Sequence, residues 1–368
     1  MTYKVVLWGP GHIGESALRA VIRHPGLELV AVVVHSEAKE GRDAGDLCGL
    51  PPTGVIATRN IDAALAVDAD AVAYFASGDF RMLDAVDDIA RCLRSGRNVV
   101  TTSLVLLTYP PTTDPEMAAT LDEACRAGGT SLFTSGIDPG WVNDVLPLTL
   151  SGMSERVDRV HMQEIMDYSS IDQPEIMFDL MGFGRPLDPP SLLALPGSLA
   201  VAWGPVVQLL AAGLGLHLDE VTDSIEHWLA PERYQVASGP IEAGTVAAMR
   251  FRVEGRSAGE ARITIEHVTR MGHDAAPDWP RHPSPHGGYR IMLDGMPSFT
   301  LDLEIHHDGD HVTGSSAATV MRELNAIPAV VAAPPGLLST LDPPMVVGPI
   351  AGGRWTGMID PTSVPAQP

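Results

Sequence analysis

The chain has 368 residues, 45% hydrophobic and 19% charged, which excludes a disordered polypeptide and leaves room for two domains with sizeable cores. A formal net charge of −22 argues against a nucleic-acid role built on phosphate neutralisation. Three scattered cysteines, Cys48, Cys92 and Cys125, form no metal-ligand spacing and suit a reducing, cytoplasmic setting.

Met1–Trp8 runs straight into a strand pattern, so no signal peptide is expected. The short runs Lys4–Trp8 and Leu27–Val34 have the β-branched character of strands buried on both faces. Between them Ile13–His24 carries helical apolar spacing (Ile13, Ala17, Leu18, Val21) and stops at Pro25-Gly26. Ala71–Phe75, Asn98–Val100 and Ser131–Thr134 read as further strands, separated by helices at Met82–Ser95 and Pro115–Ala127. This alternation predicts an α/β, Rossmann-type doubly wound parallel sheet over residues 1–135, completed by 319–368.

After Gly136 the texture changes. Pro139 sits where a helix over Trp141–Leu150 should begin, and Arg156–Ile165 reads as a strand. Met249–Val253, Ala261–Val268, Arg290–Leu293 and Ser298–Ile305 predict an antiparallel sheet, giving an α+β second domain over 136–318. Pro189–Leu218 holds no charged residue, but its Pro-Gly breaks and acidic flanks favour buried or subunit-interface helices over a membrane span. Thr319–Ala333 reads as helix, followed by a Pro/Gly-rich tail.

Gly9-Pro-Gly-His-Ile-Gly14 follows a strand and opens a helix, the context of a dinucleotide fingerprint. Gly9 serves the tight turn, Gly11 the approach of a pyrophosphate, and Gly14 close packing of helix on sheet. His12 and Ile13 open the helix whose free N–H groups would meet the phosphates. At the end of the second strand, His35 and Ser36, with Lys39 and Arg42 beyond, suit a 2′-phosphate, so NADP is favoured. Glu37 keeps NAD open.

Asn98-Val-Val-Thr-Thr102 with Tyr109-Pro110, Gly136-Ile-Asp-Pro-Gly-Trp141, and Asn325-Ala-Ile-Pro through Pro-Pro-Gly336 join the glycine turn in a recognisable set. With them the chain resembles, over nearly its whole length, the native amine dehydrogenase and 2,4-diaminopentanoate dehydrogenase family, with its dihydrodipicolinate-reductase-like N-terminal domain. The resemblance implies hydride transfer between a nicotinamide cofactor and a carbon–nitrogen bond. A nicotinamide at the C-terminal edge of the parallel sheet is expected near Ser77, Gly78 and Thr101–Ser103, with Asn325 a candidate to reach its amide, although capping of a local turn explains that asparagine equally well. Amine dehydrogenases of this kind place an ammonia-activating glutamate after the fifth strand. Here Ser103-Leu-Val-Leu-Leu107 stands there with no carboxylate. Val160–Tyr168 also lacks the catalytic lysine of true dihydrodipicolinate reductases.

A base must then come from elsewhere. Glu164 shares a strand face with Met162 and Met166, where apolar neighbours would raise its pKa. Tyr168 and Asp138 are secondary candidates, with Asp167 behind them. Ser103, Leu104, Trp141, Met162 and Phe178 would line a substrate pocket for a hydrophobic carbonyl, imine or amine. The antiparallel sheet and the charge-free segment offer surfaces for a homodimer. His306, His307 and His311, and His282 with His286, lack a structured ligand set, so no metal is assigned. No serine stands in a nucleophile elbow, and Asp84–Asp88 reads as a solvated helix face. Two alternatives remain: a reductase of preformed imines or carbonyls that does not use ammonia, and a non-catalytic NADP-binding sensor.

Overall fold

A computed structural model describes residues 2–78, 81–285, 287–307, 310–349, 351 and 355–358. The chain divides into two compact units, Met1–Ile137 with Ser316–Pro368, and Asp138–Ser315.

The first unit opens β1 (Tyr3–Trp8), α1 (His12–Arg23), β2 (Leu27–Val33), α2 (Ala44–Leu47), β3 (Ala57–Thr58) and α3 (Ile61–Ala66). It continues β4 (Ala71–Tyr74), α4 (Met82–Arg94), β5 (Asn98–Thr101), α5 (Pro115–Gly128) and β6 (Ser131–Thr134). Alternation along β1 fixes the two layers. Val5 and Leu7 pack with Ala17, Leu18 and Val21 of α1, while Val6 and Trp8 pack with Ile89 and Leu93 of α4 and Leu121 of α5. Asp88 departs from the solvated face expected of Asp84–Asp88: it is half-buried and accepts a hydrogen bond from the Tyr74 hydroxyl at 3.1 Å.

The second unit holds α6 (Val145–Ser151), β7 (Arg156–Asp167), α7 (Ser198–Gly213), β8 (Glu220–Leu229), β9 (Tyr234–Val236) and β10 (Gly239–Ile241). β11 (Val246–Ser257), β12 (Glu260–Arg270), β13 (Gly287–Met296) and β14 (Phe299–Leu303) follow. Six strands form one sheet in the order β14-β13-β7-β12-β11-β8. This sheet is mixed rather than antiparallel, because β12 runs parallel to β7. The long excursion through α7 and β8–β11 allows that crossover. The charge-free segment supplies α7, whose Val206, Val207, Leu209 and Leu210 are buried; no helix among the described residues is long and apolar enough to cross a membrane.

The expected helix over Trp141–Leu150 starts later, at Val145. Asp138, Pro139 and Gly140 have non-helical backbone angles, and the Asp144 carboxylate caps the Val145 N–H. The chain then adds α8 (His311–Ala332) and β15 (Gly336–Leu338). β15 pairs with β6 at the edge of a seven-stranded parallel sheet, β15-β6-β5-β4-β1-β2-β3, so the Pro/Gly-rich tail adds a strand to this sheet.

Candidate functional site

In the first unit the glycine turn has the geometry of a diphosphate cradle. Gly9 has φ +80°, and a Cβ there would lie 2.6 Å from the Ala76 backbone. A Cβ on Gly14 would come within 2.0 Å of the Gly9 carbonyl oxygen, whereas one on Gly11 would meet no protein atom. The open space therefore lies where a pyrophosphate approaches, at the N-terminus of α1, which starts at His12. These residues fit a bound dinucleotide. Ile13 packs partly into the core, and His12 is exposed.

The expected ribose-end residues gather at the end of β2. The Lys39 ammonium donates to the Pro10 carbonyl at 2.5 Å, joining that end to the glycine turn. His35 accepts from the Trp8 indole N–H at 3.2 Å, and Ser36 precedes a short 3-10 turn. Arg42 is turned to the Asp46 carbonyl. Ser77, Gly78, Thr102 and Ser103 lie just past β4 and β5, where the Ser103 hydroxyl donates to the Ala76 carbonyl.

Three assignments in this unit need correction. Thr101 is fully buried and its hydroxyl donates to the Tyr74 carbonyl at 2.8 Å, so it has no surface for a cofactor. Leu104 is a core residue, packed with Leu107 in the α4–α5 layer, rather than a pocket wall. Asn325 accepts from His24 Nε2 at 3.3 Å, at the far end of α1. About 18 Å of helix, at 1.5 Å per residue, separates that contact from the glycine turn.

In the second unit the sequence candidates meet around a residue that sequence reasoning passed over. His267 of β12 lies beside Glu164 of β7 in register, and Tyr289 of β13 flanks Glu164 on its other side. His267 Nε2 meets Asp138 Oδ1 at 3.2 Å, and Nδ1 meets Glu164 Oε1 at 3.4 Å. The Tyr168 hydroxyl donates to the same Glu164 oxygen at 2.6 Å. Asp138 also accepts from the Trp203 indole at 2.9 Å and from the Asn143 amide at 3.2 Å. Phe251 stacks on the imidazole at 4.4 Å and Trp203 meets it edge-on at 4.8 Å.

Burial would push the His267 imidazole down, but the charges of Asp138 and Glu164 outweigh it and raise it to about 10. The imidazolium in turn holds Asp138 below the usual carboxylate range against its own desolvation. Burial, followed by the Glu164 charge, lifts the Tyr168 phenol well above its ordinary value. The aromatic faces suit the cation they enclose. Glu164 is thus a carboxylate among an imidazolium and phenols, not among the apolar neighbours expected of it.

Phe178 packs against Gly184 and Gly239 beneath the Arg185 guanidinium. Trp141 is half-buried, and the tryptophan that touches Asp138 is Trp203. Met162 is buried two residues before Glu164 on the same strand. His286, which entered the metal reading, lies outside the described residues. Alternation on β12 was the available signal for His267, since it shares a face with Ile265 and Thr269.

A family model described as the 2,4-diaminopentanoate dehydrogenase C-terminal domain matches residues 141–354, and one for the dihydrodipicolinate reductase N-terminus matches 3–103. An amine dehydrogenase of Streptomyces virginiae is 42% identical over 92% of this chain and 96% of its own length. The chain belongs to the amine dehydrogenase family. A 2,4-diaminopentanoate dehydrogenase of Acetoanaerobium sticklandii is a more distant relative of this member, 24% identical over 93% of both chains. The solved amine dehydrogenase of Mycobacterium smegmatis shares the fold, with TM-score 0.76 and 20% identity over 98% of this chain and 99% of that one. Membership makes the protein an NAD(P)-dependent oxidoreductase with a Rossmann-type nicotinamide site.

Proposed function

We propose that the protein is an NADPH-dependent amine dehydrogenase acting on a hydrophobic ketone or aldehyde, with oxidative deamination of the amine as the reverse reaction. Overall, ketone, ammonium and NADPH give amine, NADP and water. The observation that carries this reading is the His267 imidazolium held between Asp138 and Glu164, with Tyr168 on the same carboxylate oxygen. The family's usual ammonia-activating segment, Ser103–Leu107, holds no carboxylate here, and Glu164 of this cluster would take that role.

The bound nicotinamide supplies the hydride. Gly9, Gly11, His12, Ile13 and Gly14 would hold its diphosphate, and His35, Ser36, Lys39 and Arg42 the adenosine end. Ser77, Gly78, Thr102 and Ser103 remain the candidates for the nicotinamide end. Lys39 forms no ion pair among the described residues, so its charge favours a 2′-phosphate. Glu164 takes a proton from ammonium so that the free ammonia can attack the carbonyl. Tyr168, whose phenol keeps its proton through neutrality, then donates toward the departing hydroxyl. His267 and Asp138 hold Glu164 in place and balance its changing charge. Proximity of aromatic and apolar groups to this cluster favours hydrophobic substrates over amino acids. We also take the chain to act as a homodimer in the cytoplasm, consistent with three free, buried cysteines.

The burial of Leu104 and Leu107 favours a second reading, a reductase of preformed imines or carbonyls. One ketone assayed with NADPH, with and without ammonium, separates the two. Amine formed only with ammonium is the expected result; alcohol formed at the same rate without it overturns the proposal. NADPH binding with no turnover on a panel of carbonyls, imines and amines would instead indicate a sensor.

A further inference from the structure

The end of β1 carries a residue that no part of the fingerprint requires. Trp8 directly precedes Gly9, is fully buried, and lies 5.6 Å from the Tyr74 ring, so its indole has one fixed direction. That direction brings its N–H within 3.2 Å of His35 Nε2. An indole N–H donates and never accepts, so Nε2 must keep its lone pair and the imidazole proton must sit on Nδ1. His35 is exposed two residues beyond β2, where dinucleotide-binding folds meet the adenosine ribose.

We propose that Trp8 is a positioning residue for cofactor choice: it locks His35 as the Nδ1–H tautomer, so that the ring offers a donor to the 2′-phosphate of NADP. The inference rests on the NADP reading given above. Lys39, bonded to the Pro10 carbonyl, contributes charge to the same end of the sheet, and His35 contributes direction. A freely rotating imidazole would present lone pair and proton in turn, and the lone pair repels a phosphate oxygen.

The test pairs nitrogen-15 NMR of the His35 ring with steady-state kinetics. In the unaltered protein without cofactor the ring nitrogens should report the Nδ1–H tautomer, and Trp8→Phe should give a mixture. The same variant should raise the KM for NADP about fivefold, the cost of a donor tautomer populated only about one time in five, and leave the KM for NAD and kcat within about twofold. An Nε2–H tautomer in the unaltered protein overturns the inference, whether or not the variant folds. An equal rise in KM for both cofactors overturns it too. Better turnover with NAD than NADP in the unaltered protein would defeat the NADP reading alone, and the ring spectrum would still decide whether Trp8 sets the tautomer.

Discussion

Glu266 and His267 are neighbours on β12 and project to opposite faces of one sheet. On one face a carboxylate is ringed by donors. Glu266 Oε1 accepts from Arg250 at 2.6 Å and Arg252 at 2.9 Å, while Oε2 meets His161 at 2.9 Å and Gln163 at 2.6 Å. Those donors outweigh the cost of burial and hold Glu266 well below the usual carboxylate range. On the other face the signs are inverted, and a cation is held by Asp138 and Glu164. Both groups are buried ions, yet the arrangements differ in what a proton can do. Four donors saturate the Glu266 oxygens, leaving no site for a proton, which is the signature of a structural ion cluster. Around His267 a phenol and an imidazolium share one carboxylate oxygen, so protons have somewhere to go. Burial of charge alone does not mark a reactive site; unsaturated, proton-bearing neighbours do.

Substitutions on the two faces should therefore separate rate from stability. The largest effect belongs to His267→Gln, which removes the cation between two carboxylates. We expect kcat to fall about 10²-fold, because Glu164 loses the group that holds it in place and balances its charge, with KM for NADPH unchanged in steady-state assays. On the other face, Glu266→Gln should cost about 3–5 kcal/mol of unfolding free energy in urea titrations, as broken buried ion pairs do, while kcat stays within about threefold. A reversed pattern would exchange the roles of the two clusters.

The next effect is a pH dependence. His267 is raised from 6.5 to about 10 in the folded protein, so the stability it contributes is complete below its ordinary value and is lost as pH climbs through about 10. Urea midpoints measured between these limits should fall with pH in the unaltered protein and fall less in His267→Gln. Asp138 works in the opposite sense, losing its contribution as pH drops below the ordinary carboxylate range. The smallest effect is that of Trp203→Phe, which removes one donor from Asp138. About 1.5–3 kcal/mol of stability should go with that hydrogen bond to a charged group, read from the same titrations.

Much of the first unit was legible in the amino-acid order, because its signals are local. Val5–Trp8 reads as a strand covered on both sides, and the glycines at 9, 11 and 14 each answer a steric demand of a single turn. The second unit depends on partners distant in sequence. Nothing local shows that β12 lies parallel to β7, and without that pairing His267 has no reason to be set beside Glu164. Alternation placed Glu164 on the correct strand but could not say that its neighbours would be charged. Leu104 failed for a related reason: a family position was legible, but not the rotation that turns the side chain into the core. Trp203 and Trp141 are equivalent by composition, and only the packing of α7 chooses between them.

The most direct test of the acid–imidazolium–acid cluster is a single-turnover measurement on Glu164→Gln, with NADPH oxidation followed after mixing the loaded enzyme with ketone and ammonium. The account predicts a rate at least about 100-fold lower than that of the unaltered protein, with NADPH affinity unchanged, since the side chain keeps its shape and loses only its basicity. An unaltered rate would contradict it.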